Sequence, residues 1–363
     1  MGPDKKRVLT MHAAILRFAN RRRQPVTPIS FSATLKVVLL PLVMATLTAC
    51  GGGGGGTATT TTSSLTLTGS VGDGPVVDAQ ITVRDGAGHP IAKTKSDSTA
   101  NYSVTLPAGT QLPLIVESRG GTDIVTGTQP DFSLSSVLFE PGTGVLNLNP
   151  FSTLVRETAD DMAGGLTKEN AASATRVIHN TLSFGLDGNI VPDPSNTPIT
   201  GSNVATMIKA SEALGEAIRR TRDVLSATGA TVSADKVIAA IASDLSDGSL
   251  DGLGRRASAD ITATLSVVSA PVLIETLHNR LRVNGADATA QLDNAIKITS
   301  PSTQQTTANA RLTQEQLLQT RRAVAAAQAA SPQTDLSEVE TALANLRPTV
   351  NPSKLEATIP YHT

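Results

Sequence analysis

Between Leu65 and about Gly127 hydrophobic residues alternate with polar ones in short runs, whereas from Pro150 onward they recur every three or four positions. The first period belongs to strands with one buried face and the second to amphipathic helices. The alternation predicts strands over Leu65–Val71, Ala79–Arg84, Pro90–Lys95, Tyr102–Leu106 and Leu112–Glu117. Turn residues separate them: Gly72-Asp73-Gly74-Pro75, Asp85-Gly86-Ala87-Gly88 and Pro107-Ala108-Gly109, where Gly allows a positive φ and Pro fixes a turn φ. Along Ala79–Arg84 the apolar residues Ala79, Ile81 and Val83 share one side, so the pattern predicts a small antiparallel β-sandwich with one wet face.

The character changes at Leu146-Asn147-Leu148-Asn149-Pro150, where a hydrophobic strand-like end meets a polar cap and a Pro suited to the first helical position. Helices are predicted over Pro150–Ala163, Lys168–Phe184, Asn203–Ala227, Ala234–Leu245, Ala259–Val268 and Pro271–Arg282. Thr167, Ser202, Ser233 and Ser258 precede four of them as hydroxyl caps. Residues 299–309 read as a Ser/Thr/Gln-rich linker, followed by helices over Leu312–Ala330 and Leu336–Leu346, the second capped by Asp335, and a frayed tail from Arg347; this hairpin is expected to dock within the chain. The fold class expected is multidomain α+β, an N-terminal antiparallel β-sandwich followed by an all-α helical domain. Its divisions are residues 1–49, a targeting segment; 50–64, a tether; 65–145, the β-sandwich; 146–298, the helical domain; and 299–363, the linker and hairpin.

The N-terminal segment has a basic region, Lys5, Lys6, Arg7, Arg17, Arg21, Arg22, Arg23 and Lys36, and then an apolar stretch from Val37 to Ala49. That order is the physics of a signal peptide, and the stretch, interrupted by Pro41, falls short of the ~20 residues a membrane-spanning helix needs. Translation is expected to start at Met1 or Met11. Leu47-Thr48-Ala49-Cys50 places the single cysteine directly before six glycines, Gly51 to Gly56. This stretch resembles the lipobox of bacterial lipoproteins. The resemblance implies cleavage between Ala49 and Cys50 and lipid on the Cys50 sulfur and its new amino terminus, hence a membrane-lipid anchor. Gly51 at the following position, in place of Asp, implies sorting to the outer membrane over the inner, with the body periplasmic or surface-exposed. With Cys50 acylated, no thiol remains for a disulfide or a metal. The Gly/Thr/Ser tether to Ser64 is a flexible coil spanning on the order of 20 Å.

Gly69-Ser70-Val71, Pro75-Val76-Val77-Asp78-Ala79, Ile81-Thr82-Val83, Thr94, Asn101-Tyr102-Ser103 and Leu106-Pro107-Ala108-Gly109 together resemble the carboxypeptidase regulatory-like family. The resemblance covers about 60 residues and implies a transthyretin-like sandwich of the non-catalytic kind appended to bacterial surface proteins. One departure stands at Asp97-Ser98-Thr99-Ala100-Asn101, where the family has an acidic turn containing Gly. Tyr102 is expected in the core. The strand-to-helix passage around Asn149 is similar to that of bacterial surface lipoproteins joining such a module to a helical domain, a likeness that brings no established activity.

Charge narrows the partners. Eight of the 30 Lys/Arg and one of the 31 Asp/Glu precede Cys50, which leaves the remainder near −8. Such a balance, with no Lys/Arg cluster interleaved with aromatics, argues against nucleic acid. The six aromatic residues after Cys50, Tyr102, Phe132, Phe139, Phe151, Phe184 and Tyr361, offer few stacking platforms, which argues against strong glycan binding and, with few Trp/Tyr anchors, for a broad protein contact.

Candidate chemistry is sparse. Ser233-Ala234-Asp235-Lys236 satisfies S-x-x-K, without the S-D-N and K-T-G partners that serve it in penicillin-binding enzymes; Ser233 is equally explained as a helix cap. His179 and His278 are candidate members of a Ser-His-Asp triad, with no G-x-S-x-G elbow to present the serine. Asp244-Leu245-Ser246-Asp247-Gly248-Ser249-Leu250-Asp251-Gly252 is rich in oxygen ligands, yet its first Gly falls fifth and Arg255 stands twelfth, against the EF-hand order. A helix end followed by a loop is expected there. Asp187-Gly188-Asn189 with Asp193 is a weaker version. No catalytic, cofactor or metal residue is therefore assigned, and no cofactor is expected. Two readings follow: a membrane-anchored, non-catalytic binding or scaffolding lipoprotein with an envelope protein partner, and a serine-type hydrolase of peptide or peptidoglycan using Ser233 and Lys236 or a site at His179 or His278.

Overall fold

A computed structural model describes residues 61, 63–142, 144–299, 317, 318 and 321. Antiparallel sheets make up the N-terminal part of these residues and six helices the C-terminal part, a mixed α+β architecture. The targeting segment, Cys50, nearly all of the tether, the 300–309 linker, most of the C-terminal hairpin with Asp335, and the tail lie outside the described residues.

Strands β1 (Leu65–Ser70) and β5 (Asn101–Leu106) pair antiparallel, with Leu65 opposite Leu106. A four-stranded sheet runs in the order β4 (Pro90–Lys95), β3 (Gln80–Arg84), β6 (Leu114–Arg119), β8 (Leu134–Leu138). Two short strands, β2 (Val76–Val77) and β7 (Thr122–Asp123), form a separate antiparallel pair. The alternation has the expected consequence: Ala79, Ile81 and Val83 are buried, and Leu65 and Leu67 face inward while Thr66 and Thr68 face out. Three of these strands lie outside the predicted set: β2 and β7, each two residues long, and β8, all five of whose residues are buried; a strand covered on both faces shows no alternation. In the Asp97–Asn101 turn Ala100 takes φ 61°, and the Asp97 carboxylate holds the turn by accepting from the backbone amides of Thr99 at 2.8 Å and Asn101 at 3.0 Å.

Residues 144–148 return alongside β1 in parallel fashion: Thr68 donates to the Gly144 carbonyl, Leu146 to Thr68, Leu148 to Ser70, and Gly72 to Leu148, each at 2.8 Å. The buried Tyr102 hydroxyl donates to the Leu146 carbonyl at 2.6 Å. This return strip hands the chain to α1 (Pro150–Asp161), where Asn149 caps the helix and exchanges hydrogen bonds with Ser152 in a reciprocal capping box.

The helices follow as α2 (Lys168–Thr181), α3 (Val204–Ala227), α4 (Ala234–Asp244), α5 (Ala259–Leu277) and α6 (Thr289–Thr299), with a hairpin of β9 (Arg282–Val283) and β10 (Ala286–Asp287) before α6. Thr167, Ser233 and Ser258 accept from backbone amides as caps; Ser202 is not the cap of α3, whose cap position is Asn203 and makes no side-chain cap bond. A further expectation is corrected. The segments Ala259–Val268 and Pro271–Arg282 are not two helices: α5 runs unbroken to Leu277 with Pro271 inside it, and Arg282 belongs to β9. An interior Pro costs roughly 3 kcal/mol through a lost hydrogen bond and a clash. Burial of Leu265, Val268, Ala270, Val272 and Leu273 on both sides of it offsets that cost. α5 has the length and apolarity of a membrane span, but 56% of the relevant window is buried inside the protein, as in a core helix.

A single hydrophobic cluster runs from Leu65 through Phe151, Leu214 and Leu265 to Ile296, and Leu317 of the C-terminal segment also joins it. The β-part and the helices therefore share one core, with β8 against α1 and α3 against α5.

Candidate functional site

The most unusual chemistry lies where the turn after β1 meets α3. The first four turns of α3, from Val204 to Arg219, are buried almost all round. A helix enclosed in this way leaves no wet face for its polar residues, and Glu212, Glu216 and Arg219 project into the interior. Their relative exposures are 0%, 2% and 3%. Asp73, 1% exposed, comes down onto them from the Gly72–Pro75 turn. One guanidinium binds all three acids: Arg219 Nη1 bonds Asp73 Oδ2, its Nη2 bonds Glu212 Oε1, and its Nε donates to Glu216 Oε2 at 3.0 Å.

The network continues outward. Arg220 donates through Nε to Glu216 Oε1 at 2.8 Å and through Nη2 to Glu275 of α5 at 2.7 Å, and it also reaches the Arg282 carbonyl. Glu275 accepts from the Arg282 amide at 2.9 Å. One polar chain thus ties the β-turn, α3, α5 and the β9–β10 hairpin. Asp123 of β7 lies beside it, its carboxylate held by the Val125 amide and the Thr126 hydroxyl.

Two glycines make the approach possible. A Cβ on Gly215 would stand 1.7 Å from Asp73 Oδ1, and one on Gly74 would stand 2.6 Å from Asp123 Oδ1 and 2.8 Å from Glu212 Oε2. Asp73 Oδ1 and Glu212 Oε2 are buried without a hydrogen-bond partner among the described residues. Burial pushes the Asp73 carboxyl up to about 7 against the pull of Arg219, with Asp123 and Glu216 adding to the rise. Burial likewise raises Glu212 well above the usual range, opposed by Arg219 and reinforced by Asp73 and Asp123. Burial also raises Asp123. For Arg219 the three carboxylates outweigh desolvation and hold it firmly charged. A narrow crevice opens beside the cluster, lined by Gly72, Asp73, Pro75, Asn149, Met207 and Thr299.

The residues singled out for hydrolysis stand on three different helices. Ser233 is an exposed N-cap whose Oγ accepts from the Lys236 amide at 3.2 Å. Lys236 is exposed, and Asp235 between them accepts from the Ser133 amide at 2.9 Å, tying α4 to the segment before β8. His179 sits in the last turn of α2 against Gly188 and is partly buried; burial lowers its pKa, against the influence of Asp193, the Pro192 carbonyl and Asp187. His278 is exposed at the C-terminal end of α5. These groups come from different helix ends.

The oxygen-rich loop after α4 is turned inward upon its own backbone. The Asp244 carboxylate accepts from the amides of Asp251 at 3.0 Å and Gly252 at 2.9 Å and from the Thr262 hydroxyl. Asp247 and Asp251 each accept from the amide two residues ahead. This is a helix end running through a 3₁₀ turn into a loop. Asp187 holds the Asn189 amide and side chain, and Asp193 holds the Ser195 amide. Among the described residues, no three His, Cys, Asp or Glu side chains gather in a way that could hold a metal.

The Asp73–Glu212–Arg219 cluster escaped sequence reasoning. Gly72-Asp73-Gly74-Pro75 reads as an ordinary surface turn. A signal was nevertheless present in Glu212, Gly215, Glu216 and Arg219, which lie at helical spacing on one face among Ala, Leu and Ile. No protein-family model, curated protein or solved structure matches this chain.

Proposed function

We propose that this chain is a bacterial envelope lipoprotein, anchored in the outer membrane by lipid on Cys50 and acting as a non-catalytic binding or scaffolding module for another envelope protein. The observation that carries the reading is Leu47-Thr48-Ala49-Cys50, set between an apolar stretch and a glycine tract. Cleavage before Cys50 leaves a net charge near −8 on the anchored protein, which favours solubility close to anionic lipid and argues against a nucleic-acid partner.

The finer description of the β-part belongs to the same proposal: β1 to β8 are the strands of a transthyretin-like sandwich of the carboxypeptidase regulatory-like kind. Support comes from the alternating burial along β1, β3 and β6 and from the enclosed Tyr102. The shared core and the buried ion network suit a body that presents its two parts as a unit. The engagement of Ser233 as a cap, together with the placement of His179 and His278 at the ends of different helices, supports a non-catalytic role.

Mass spectrometry of the N-terminal peptide from the membrane fraction, in wild type and Cys50→Ser, tests the anchor. An acylated Cys50 terminus is expected in the wild type, with loss of membrane association in the variant; an unmodified peptide running through residue 50 would overturn the reading. Ser233→Ala addresses the hydrolase alternative. It is expected to cost about 1 kcal/mol of stability as a lost cap, and loss of a peptidase or peptidoglycan-hydrolase turnover with stability unchanged would restore that alternative.

A further inference from the structure

Around the turn at Asp73, five carboxyl groups face two guanidinium groups: Asp73, Asp123, Glu212, Glu216 and Glu275 against Arg219 and Arg220. The outer pairs are well compensated. Glu216 receives one bond from each arginine, Glu275 receives Arg220 and the Arg282 amide, and Asp123 is held by the Val125 amide and Thr126. Asp73 and Glu212 are different. Each has one oxygen on Arg219 and one buried oxygen without a donor among the described residues. Because Nη1 and Nη2 of one guanidinium hold them, the two carboxyl groups are neighbours. Two ionised carboxylates in such a space repel one another and, among the described residues, share Arg219 as their donor, and a shared site of this kind resolves itself by keeping one proton.

We propose that Asp73 and Glu212 hold one proton between them at neutral pH and that this proton latches the Gly72–Pro75 turn onto α3, so that its loss at alkaline pH loosens the junction between the β-part and the helices. The protonated partner supplies the hydroxyl donor that the pair otherwise lacks. Once it is lost, Arg219 faces three buried carboxylates with Asp123 behind them. Asp73 is the member carried by the β-part, so repulsion acts across the junction. Outside this pair, the charged and polar groups around the latch are Glu216 and Arg220 on α3, Asp123 on β7, Glu275 on α5, and Arg282 and the Asn284 amide on the hairpin.

The sign follows from proton counting. A group that binds its proton more tightly folded than unfolded lowers stability as pH rises, over the interval between the unfolded and folded values. For this pair the fall begins at about pH 4, where unfolded carboxyls ionise, and extends through neutral pH.

Infrared spectroscopy of the full chain above the range where exposed carboxyls ionise tests the proposal directly. A carbonyl stretch of a protonated carboxylic acid is expected in the wild type near pH 7, bleaching on alkalinisation and abolished in Glu212→Gln or Asp73→Asn. The same variants are expected to lose most of the decline in urea midpoint between about pH 5 and pH 8, because an amide supplies the donor without a titratable proton. Absence of the band in the wild type, a measurement that needs no variant to fold, would overturn the latch. Survival of the band in both variants would also overturn it, since the proton would then sit on another group such as Asp123.

Discussion

Asp73 and Asp244 are both carboxylates closed off from solvent, and they are satisfied in opposite ways. Asp244 accepts from amides seven and eight residues ahead and from Thr262, all within one connected stretch of chain. Asp73 rests on Arg219, which is 146 residues away. The first carboxylate organises a loop; the second joins two parts of the molecule. A local site is stabilised by backbone dipoles that the sequence carries with it, whereas the distant site depends on a counter-charge that arrives only after the fold has formed. The distant site is also the underfilled one, with two oxygens lacking a partner among the described residues where Asp244 has none.

This contrast predicts unequal responses to mutation. Arg219→Met should have the largest effect, because it strands Asp73, Glu212 and one oxygen of Glu216 in the interior; removing one partner of a buried ion pair costs roughly 3–5 kcal/mol. Chemical denaturation is expected to show that loss, with a steeper decline at alkaline pH than in the wild type. A variant close to wild-type stability would show that the network is dispensable. Gly215→Ala comes next. Ala is the better helix former by about 1 kcal/mol, but its Cβ would fall on Asp73 Oδ1, and overpacking of this kind costs roughly 1–3 kcal/mol. Net destabilisation is expected in a thermal melt, and a rise in melting temperature would contradict the described approach of the turn to α3. Asp244→Ala should cost about 1–3 kcal/mol from unsatisfied amides. Its damage should stay in residues 245–258, seen as faster local hydrogen exchange, with the alkaline response of the Asp73 junction unchanged.

Legibility in the sequence divides along the same line. The strands Leu65–Ser70 and Pro90–Lys95 and the starts of α1, α2, α4 and α5 were readable because alternation, helical spacing and capping hydroxyls act within a few residues. β8 was hidden by burial on both faces, and the continuity of α5 through Pro271 by a local rule that packing overrode. The Asp244 loop was read correctly as a helix end and loop because its hydrogen bonds are local. The Asp73 cluster was hidden because a glycine-rich turn and a polar triplet on a helix each have an ordinary surface explanation taken separately.

By itself, then, the sequence determined the periodicities, the turns and caps, and the Leu47–Cys50 signature, since each depends on neighbours along the chain. Only the tertiary structure decided that the β-part and the helices share a core and that Asp73 meets Glu212 on Arg219. The physical reason is that burial and electrostatic pairing depend on distance in space. A carboxylate's environment is set by whatever the folded chain brings against it, and here that is one guanidinium and three acids.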